Sequence, residues 1–190
     1  MPELPQTRRL VAIVSADIAG YSALSERDAA LAVTYVARLR DHARDACTRH
    51  GGRIFNTAGD GVMLEFASAS DALAAAIALC EAQAEVSFRL GVHLGEVTAA
   101  DDGDLLGHGV NVAARLQAQA NAGGIIVSQL VRDSVSPELA ARLTAPRAAL
   151  QTASRKKFST PSRACAASRC WGQRQASRFA AATKPRPPKR

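Results

Sequence analysis

The sequence predicts an α+β domain with a ferredoxin-like βαββαβ core, extended by a further helix and strand. Short apolar runs alternate with stretches in which apolar residues recur every three or four positions, the periods of buried strands and amphipathic helices. Residues 53–66, RIFNTAGDGVMLEF, place two strand-like runs around Ala-Gly-Asp-Gly, which is typical of a β-hairpin. Apolar residues make up 47% of the 190-residue chain, enough for a substantial core.

The first half of the chain supplies a strand, a helix and the hairpin. Residues 9–16, RLVAIVSA, form a short apolar run suited to a buried strand. From 25 to 50 the apolar residues recur at helical spacing, with Ser25 as the predicted N-cap. The glycine pair Gly51-Gly52 then ends this helix, and the hairpin follows.

The second half of the chain predicts an Ala-rich helix, then a strand, and then three shorter elements. This helix begins at a cap supplied by Ser68 or Ser70 and runs to about residue 84. Residues 87–99 read as one strand, or as a strand pair interrupted at Gly95. The remaining elements are a helix near 108–120, a strand at 125–128 and a brief helix at 129–135.

The composition changes near the C-terminus and sets the predicted boundaries. We assign residues 8–145 to the folded domain, 146–165 to a degenerate C-terminal hairpin and 166–190 to a basic, disordered tail. Through Glu138 the chain has 11 arginines and 17 acidic residues, whereas the rest has 13 basic residues and no acid. This asymmetry argues against a nucleic-acid-binding body, although the tail alone could bind a polyanion.

The sequence also bears on compartment and on metal sites. No apolar run approaches the roughly 20 residues needed to cross a bilayer, and the N-terminus lacks the pattern of a secretory signal. We therefore expect a cytoplasmic protein without a membrane segment. The four cysteines have no metal-ligand spacing, and Cys47 and Cys80 are expected to be buried thiols. His93 and His108 form no ligand cluster and are assigned structural roles.

Two aspartates become neighbours in the predicted topology. The first strand then lies beside the hairpin, so Asp17 at its end approaches Asp60 in the hairpin turn. Paired carboxylates suit Mg²⁺ or Mn²⁺, because magnesium is usually held by one or two carboxylates together with substrate phosphates. Spacing alone leaves the alternative that Asp17 merely ends a strand and Asp60 merely shapes a turn.

Three motifs together resemble a known family. ADIAGYS at 16–22, GGRIFNTAGDGVMLEF at 51–66 and DLLGHGVNVAARL at 104–116 resemble the catalytic domain of bacterial class III nucleotidyl cyclases. The resemblance covers residues 8–135 and implies the class III cyclase fold. It also implies conversion of ATP to 3′,5′-cyclic AMP and pyrophosphate in signal transduction, with two divalent cations, Mg²⁺ or Mn²⁺. The family works as dimers, so the resemblance implies a homodimer with its sites at the interface.

The resemblance implies roles for individual residues. Asp17 and Asp60 match the two metal-binding aspartates, and Ile18 matches the position whose backbone carbonyl helps to hold one metal. Asn111 matches the asparagine that orients the ribose, and Arg115 matches the arginine that stabilises charge in the transition state. The spacing agrees for the last two, because residues four apart on a helix share one face. A guanidinium also suits a transition-state phosphate.

Two regions depart from the family pattern. The base-reading carboxylate is matched by Asp104, but Asn56 stands where the family usually has the lysine that reads adenine with it. Asn keeps a donor but is shorter and uncharged, so we expect adenine to be preferred with looser discrimination against guanine. Residues 155–164, RKKFSTPSRA, faintly resemble the family's C-terminal hairpin and place its phosphate-binding lysine at Lys156.

Two alternative functions remain open on the sequence. One is a catalytically impaired cyclase-like module that binds nucleotide or dimerises, which the unusual C-terminus favours. The other is a polyanion-binding protein that acts through its basic tail. Trp171 is the one tryptophan of the tail, and the domain that precedes the tail is acidic. Binding of nucleic acid is therefore the less favoured alternative.

Overall fold

The computed structural model describes residues 8–82, 85–142 and 150–153. The strands are β1 Arg8–Ile18, β2 Arg53–Ala58, β3 Gly61–Phe66, β4 Phe88–Ala99, β5 Leu105–Leu106, β6 Ile125–Ser128 and β7 Leu150–Ala153. The helices are α1 Tyr21–Arg27, α2 Ala29–His50, α3 Ala69–Glu81, α4 His108–Gln119, α5 Gln129–Ser134 and α6 Pro137–Arg142.

One sheet organises the domain, and its topology confirms the predicted ferredoxin-like core. The strand order is β2-β3-β1-β4-β6-β7, and β5 pairs with the end of β4. Strand β1 lies at the centre, antiparallel to both β3 and β4. The extra strand β6 runs parallel to β4. As predicted, the first strand lies directly beside the hairpin formed by β2 and β3.

The two faces of the sheet carry different helices. Alternate residues of β1, such as Ala12 and Val14, join α2 and α3 in the main hydrophobic core. The residues between them face the other side, where α4 packs, because period-two alternation sends successive side chains to opposite faces. On that side a Cβ built on Gly109 of α4 would lie 3.2 Å from Cδ1 of Ile13. Asp17 therefore points to the α4 side of the sheet.

The start of α2 differs from the prediction. Its N-cap is Asp28, whose side chain accepts a hydrogen bond from the Leu31 amide at 2.9 Å. The prediction of Ser25 as N-cap is wrong because Tyr21–Arg27 forms a separate short helix, and extended backbone at Asp28 (φ −152°) separates the two. The predicted stop is confirmed, since Gly51 caps α2 in the left-handed region at φ +66°.

Strand β4 continues without a break through Gly95, so the strand-pair alternative for residues 87–99 is wrong. Glycine is required there by packing, because an added Cβ would lie 2.8 Å from Nε2 of His93 and 3.1 Å from Cα of Gly109. At Gly91 an added Cβ would lie 2.3 Å from the backbone nitrogen of Gln117. These two glycines let the backbone of α4 lie directly on β4.

Only four residues of the segment predicted as a C-terminal hairpin are described. Leu150–Ala153, inside the segment predicted as a degenerate hairpin, forms β7 and pairs in parallel with β6. Lys156 and the predicted tail lie outside the described residues, and the predicted domain boundaries stay predictions. Within the described ranges, no helix is both long and apolar enough to cross a membrane.

Candidate active site

Strand pairing brings the two predicted metal aspartates together. In the β1–β3 register Asp17 lies opposite Gly61, the residue that follows Asp60. The hairpin turn that presents Asp60 includes Gly59 at φ +61°, and Nη2 of Arg40 from α2 donates to the Gly59 carbonyl at 3.2 Å. Burial is the main cause that raises the pKa of Asp17, and the negative charge of Asp60 is close enough to add to the rise. The predicted adjacency is therefore confirmed.

An arginine that sequence analysis missed binds Asp17 directly. Arg89 lies opposite Asp17 in the β1–β4 register, and its Nε and Nη2 donate to Oδ1 at 3.0 Å and to Oδ2 at 2.7 Å. Burial raises the pKa of Asp17 and outweighs Arg89, which lowers it. The bidentate contact puts a fixed positive charge at the aspartate pair. Only the strand register could have revealed it, because 72 residues separate the partners.

The donor set around Asp17 fits a hard divalent cation. The Ile18 side chain is fully buried on the opposite face, so this residue can offer the site only its backbone. Within the described ranges, no three His, Cys, Asp or Glu side chains are grouped to hold a metal. Two carboxylates are what magnesium usually takes from a protein, with water and substrate phosphates as the other ligands. Because Arg89 occupies both oxygens of Asp17, a cation there must share or displace that contact.

The two predicted base-reading residues contact each other. Nδ2 of Asn56 on β2 donates to Oδ2 of Asp104 at 2.7 Å, although the residues lie 48 positions apart. Asp104 stands just before β5, at the end of the loop that leaves β4. The contact leaves the amide oxygen of Asn56 available as an acceptor, so the pair offers both donor and acceptor groups.

The remaining predicted pair lies on α4. Ala113, Leu116 and Gln117 of this helix are buried, whereas Asn111 and Arg115 are exposed. The two exposed side chains share one face, as their spacing predicted. Within residues 8–82 and 85–142, neither forms a hydrogen bond or ion pair through its side chain. Among those residues nothing holds either side chain, so both can contact a ligand or another chain.

Two buried polar side chains line the α4 face near these groups. Burial raises the pKa of Asp17, and the Gln117 amide is near enough to offset a small part of that rise, although its buried Nε2 forms no well-aligned hydrogen bond among the described residues. His93 on β4 is also buried, and its Nδ1 has no partner in the same part of the chain. Burial and the nearby His108 lower the pKa of His93 to about 4. The histidines thus interact electrostatically, and the structural role assigned to both stays a prediction.

Among solved structures, the chain is similar to an adenylate/guanylate cyclase/hydrolase from Silicibacter pomeroyi. The identity is 38%, the TM-score is 0.58, and the match covers 68% of this chain and 83% of that one. The adenylyl cyclase CyaB from P. aeruginosa has a TM-score of 0.58 at 22% identity, over 75% of this chain and 84% of that one. At this lower identity the likeness bears on the fold alone.

Two curated relatives match part of this sequence. A Rhizobium meliloti protein named "Putative adenylate cyclase 3" is 41% identical over 139 residues, which are 67% of this chain and 24% of that protein. An uncharacterized Mycobacterium tuberculosis protein is 34% identical over 111 residues, which are 57% of this chain and 39% of that protein. This chain therefore spans about a quarter and two fifths, respectively, of the lengths of these two relatives.

The family model for the adenylate and guanylate cyclase catalytic domain matches residues 4–159. That range contains all three motifs and every described strand and helix. The βαββαβ sheet, the helix α4 on its second face and the solved neighbours agree on the class III cyclase fold. The chain therefore belongs to the adenylate and guanylate cyclase catalytic domain family.

Proposed function

We propose that this protein is an adenylate cyclase that converts ATP to 3′,5′-cyclic AMP and pyrophosphate. The observation that carries the proposal is the β1–β3 register, which brings Asp17 beside the turn of Asp60 in a cyclase-family domain. The name of the Rhizobium meliloti relative supports the same activity. A weaker guanylate cyclase activity accompanies it, for the reason given below for Asn56.

The reaction is an intramolecular phosphoryl transfer. The ribose 3′-hydroxyl loses its proton to solvent, its oxygen forms a bond to the α-phosphorus, the bond from that phosphorus to the oxygen shared with the β-phosphate breaks, and pyrophosphate leaves. Most of the rate comes from positioning and charge stabilisation. Asn111 orients the ribose, and the exposed guanidinium of Arg115 faces the charge that develops on the phosphate.

Divalent cations fit the aspartate site. The carboxylates of Asp17 and Asp60 and the backbone carbonyl of Ile18 would hold two ions, Mg²⁺ or Mn²⁺. When bound, such ions acidify an attacking hydroxyl and stabilise phosphate charge. The remaining ligands are water and the triphosphate, because the protein offers two carboxylates here. In this proposal Lys156 gives the triphosphate a further cation.

Asn56 and Asp104 set the choice of base. Asp104 accepts a hydrogen bond from the adenine amino group, and the Asn56 amide, which contacts Asp104 at 2.7 Å, faces the ring. The amide can donate or accept, so it discriminates less strictly against guanine than a lysine would. We expect Asn56→Lys to raise the ratio of cyclic AMP to cyclic GMP formed at equal ATP and GTP. An unchanged ratio would remove Asn56 from base selection.

The active unit is a homodimer with two equivalent sites at its interface. The support is that Asn111 and Arg115 are exposed and lack side-chain partners within the described ranges, as expected of residues that complete a site on another chain. Two-fold symmetry lets one sequence supply both halves. Mixing Asp60→Ala with Arg115→Ala protomers should restore activity, since one site of the mixed dimer is then intact. Two inactive variants that stay inactive when mixed would contradict shared sites.

The central test is cyclic AMP formation from ATP with Mn²⁺ by the full chain. We expect activity that Asp60→Ala abolishes, with the folded state of the variant checked by circular dichroism. Nucleotide binding without turnover in the wild type would favour the catalytically impaired module instead. Salt-sensitive DNA binding that is lost on truncation at Ser162, with no cyclic nucleotide formed, would favour the polyanion-binding alternative.

A further inference from the structure

Two side chains of β2 hold the loop that carries Asp104. Asn56 binds the Asp104 carboxylate, and Nη1 of Arg53 donates to the backbone carbonyl of Gly103 at 2.9 Å. We propose that Arg53 is a positioning residue that fixes this loop, residues 100–104, for recognition of the purine base. The proposal rests on the function proposed above, because it assigns Asp104 to the base.

A β-bulge makes the double contact possible. In the β2–β3 register Arg53 pairs with Glu65 and Asn56 pairs with Met63, with a register shift between Ile54 and Asn56. Residues three apart on a regular strand point to opposite faces. The extra residue at the bulge returns Asn56 to the face of Arg53, so both side chains reach the same loop.

Glu65 fixes the direction of the Arg53 guanidinium. Its carboxylate, with a side chain only 11% exposed, accepts from Nη2 of Arg53 at 3.1 Å. A guanidinium is a rigid planar fork, so holding Nη2 also sets where Nη1 points. The contacts from Glu65 to Arg53 to the Gly103 carbonyl therefore tie the loop to strand β3.

Hydrogen bonds within the loop transmit this restraint to Asp104. The Gly103 amide donates to the Ala100 carbonyl at 3.0 Å, and the Ala100 amide donates to the Asp104 carbonyl at 2.8 Å. The Asp104 amide in turn donates to Oδ1 of Asp102 at 3.1 Å. The carbonyl that Arg53 binds belongs to the peptide joining Gly103 to Asp104, so its displacement moves the base-reading residue directly.

Arg9 provides a matched control. Its Nη2 donates to both Glu65 oxygens at 2.9 Å, which makes it the stronger partner of that carboxylate, but it makes no hydrogen bond to residues 100–104 within the described ranges. The two arginine side chains are similarly exposed, 41% for Arg9 and 43% for Arg53. Both border one open cavity of about 250 Å³, so shortening either leaves no void in the packed core.

The kinetic test compares Arg53→Gln with Arg9→Gln in the full chain. Loss of the contact to Gly103 should raise KM for ATP about three- to tenfold, the effect of one hydrogen bond, with kcat changed less than about twofold. The preference for ATP over GTP should fall as well. Arg9→Gln should leave both quantities within about twofold of the wild type, and Arg53→Lys should recover part of the loss. Equal effects of the two glutamine variants would overturn the positioning role.

Hydrogen exchange separates this inference from the proposed function. The amides of Ala100, Gly103 and Asp104 should exchange at least about threefold faster in Arg53→Gln, and at the wild-type rate in Arg9→Gln. If the wild type forms no cyclic nucleotide, the proposed function fails, and this comparison still decides whether Arg53 restrains the loop. Identical exchange of residues 100–104 in both variants overturns the inference whatever the activity.

Discussion

Buried His93 should make the stability of this domain fall steeply in mild acid. Its pKa is lowered to about 4 from 6.5, first by burial and then by His108, so the folded state keeps it neutral. The unfolded chain takes up a proton near pH 6.5, whereas the folded chain does so only near pH 4. The contribution of His93 to the free energy of unfolding is therefore fully present above pH 6.5, and it is lost as the pH falls toward 4.

The size of this effect follows from the two pKa values. Because the unfolded chain binds the proton more tightly, the free energy of unfolding should fall by about 1.4 kcal/mol at pH 5.5 and about 2.5 kcal/mol at pH 4.5, relative to pH 7.5. Urea unfolding followed by circular dichroism should be run at these pH values on the wild type and on His93→Gln, which cannot titrate. Other groups titrate in both proteins, so the difference between the two curves isolates His93.

The outcome is read from the shape of that difference. Above pH 7.5 the two curves should run parallel, whatever offset the substitution causes. Below pH 6.5 the wild type should lose stability relative to the variant, by the amounts given above. Curves that stay parallel to within about 0.5 kcal/mol down to pH 4.5 would refute the reasoning, because they would mean that folding does not hold His93 neutral. His108→Gln should make the loss only slightly smaller, since burial is the larger cause.

Three further predictions concern the packing of α4 on β4, the contact at Asp17 and the start of α2. Gly91→Ala should destabilise by about 2 kcal/mol in urea, because its Cβ would lie 2.3 Å from the backbone of α4; unchanged stability would contradict that packing. Arg89→Gln should raise the pKa of Asp17 further and lower the free energy of unfolding by about 1–2 kcal/mol. A double-mutant cycle with Asp17→Asn that gives no coupling energy would refute the contact. Asp28→Ala should cost about 1 kcal/mol and Ser25→Ala less than half of that, with the reverse order favouring the original cap.

Much of the fold was predictable because local patterns determine it. The hairpin at 53–66 and the stop of α2 at Gly51 follow from turn and capping chemistry, which acts within a few residues. The same chemistry narrowed the cap of α3 to Ser68 or Ser70, and the structure has Ser68. The prediction of the α2 start failed at Ser25 because two short-range signals competed, and the extended backbone at Asp28 decided between them. Gly95 was ambiguous for a similar reason, since a glycine in a strand can mark either a break or a close contact.

The candidate site was also predictable only in part. The sequence by itself determined which side chains are present: two aspartates that topology makes neighbours, the Asn56 and Asp104 pair, and an asparagine and arginine on one face of a helix. Tertiary structure decided which partners they meet. The register of β1 against β4 set Arg89 on Asp17, and the bulge in β2 turned Arg53 and Asn56 toward one loop. These contacts depend on strand register, and a shift of one residue reverses the face of every side chain, so no local pattern could have fixed them.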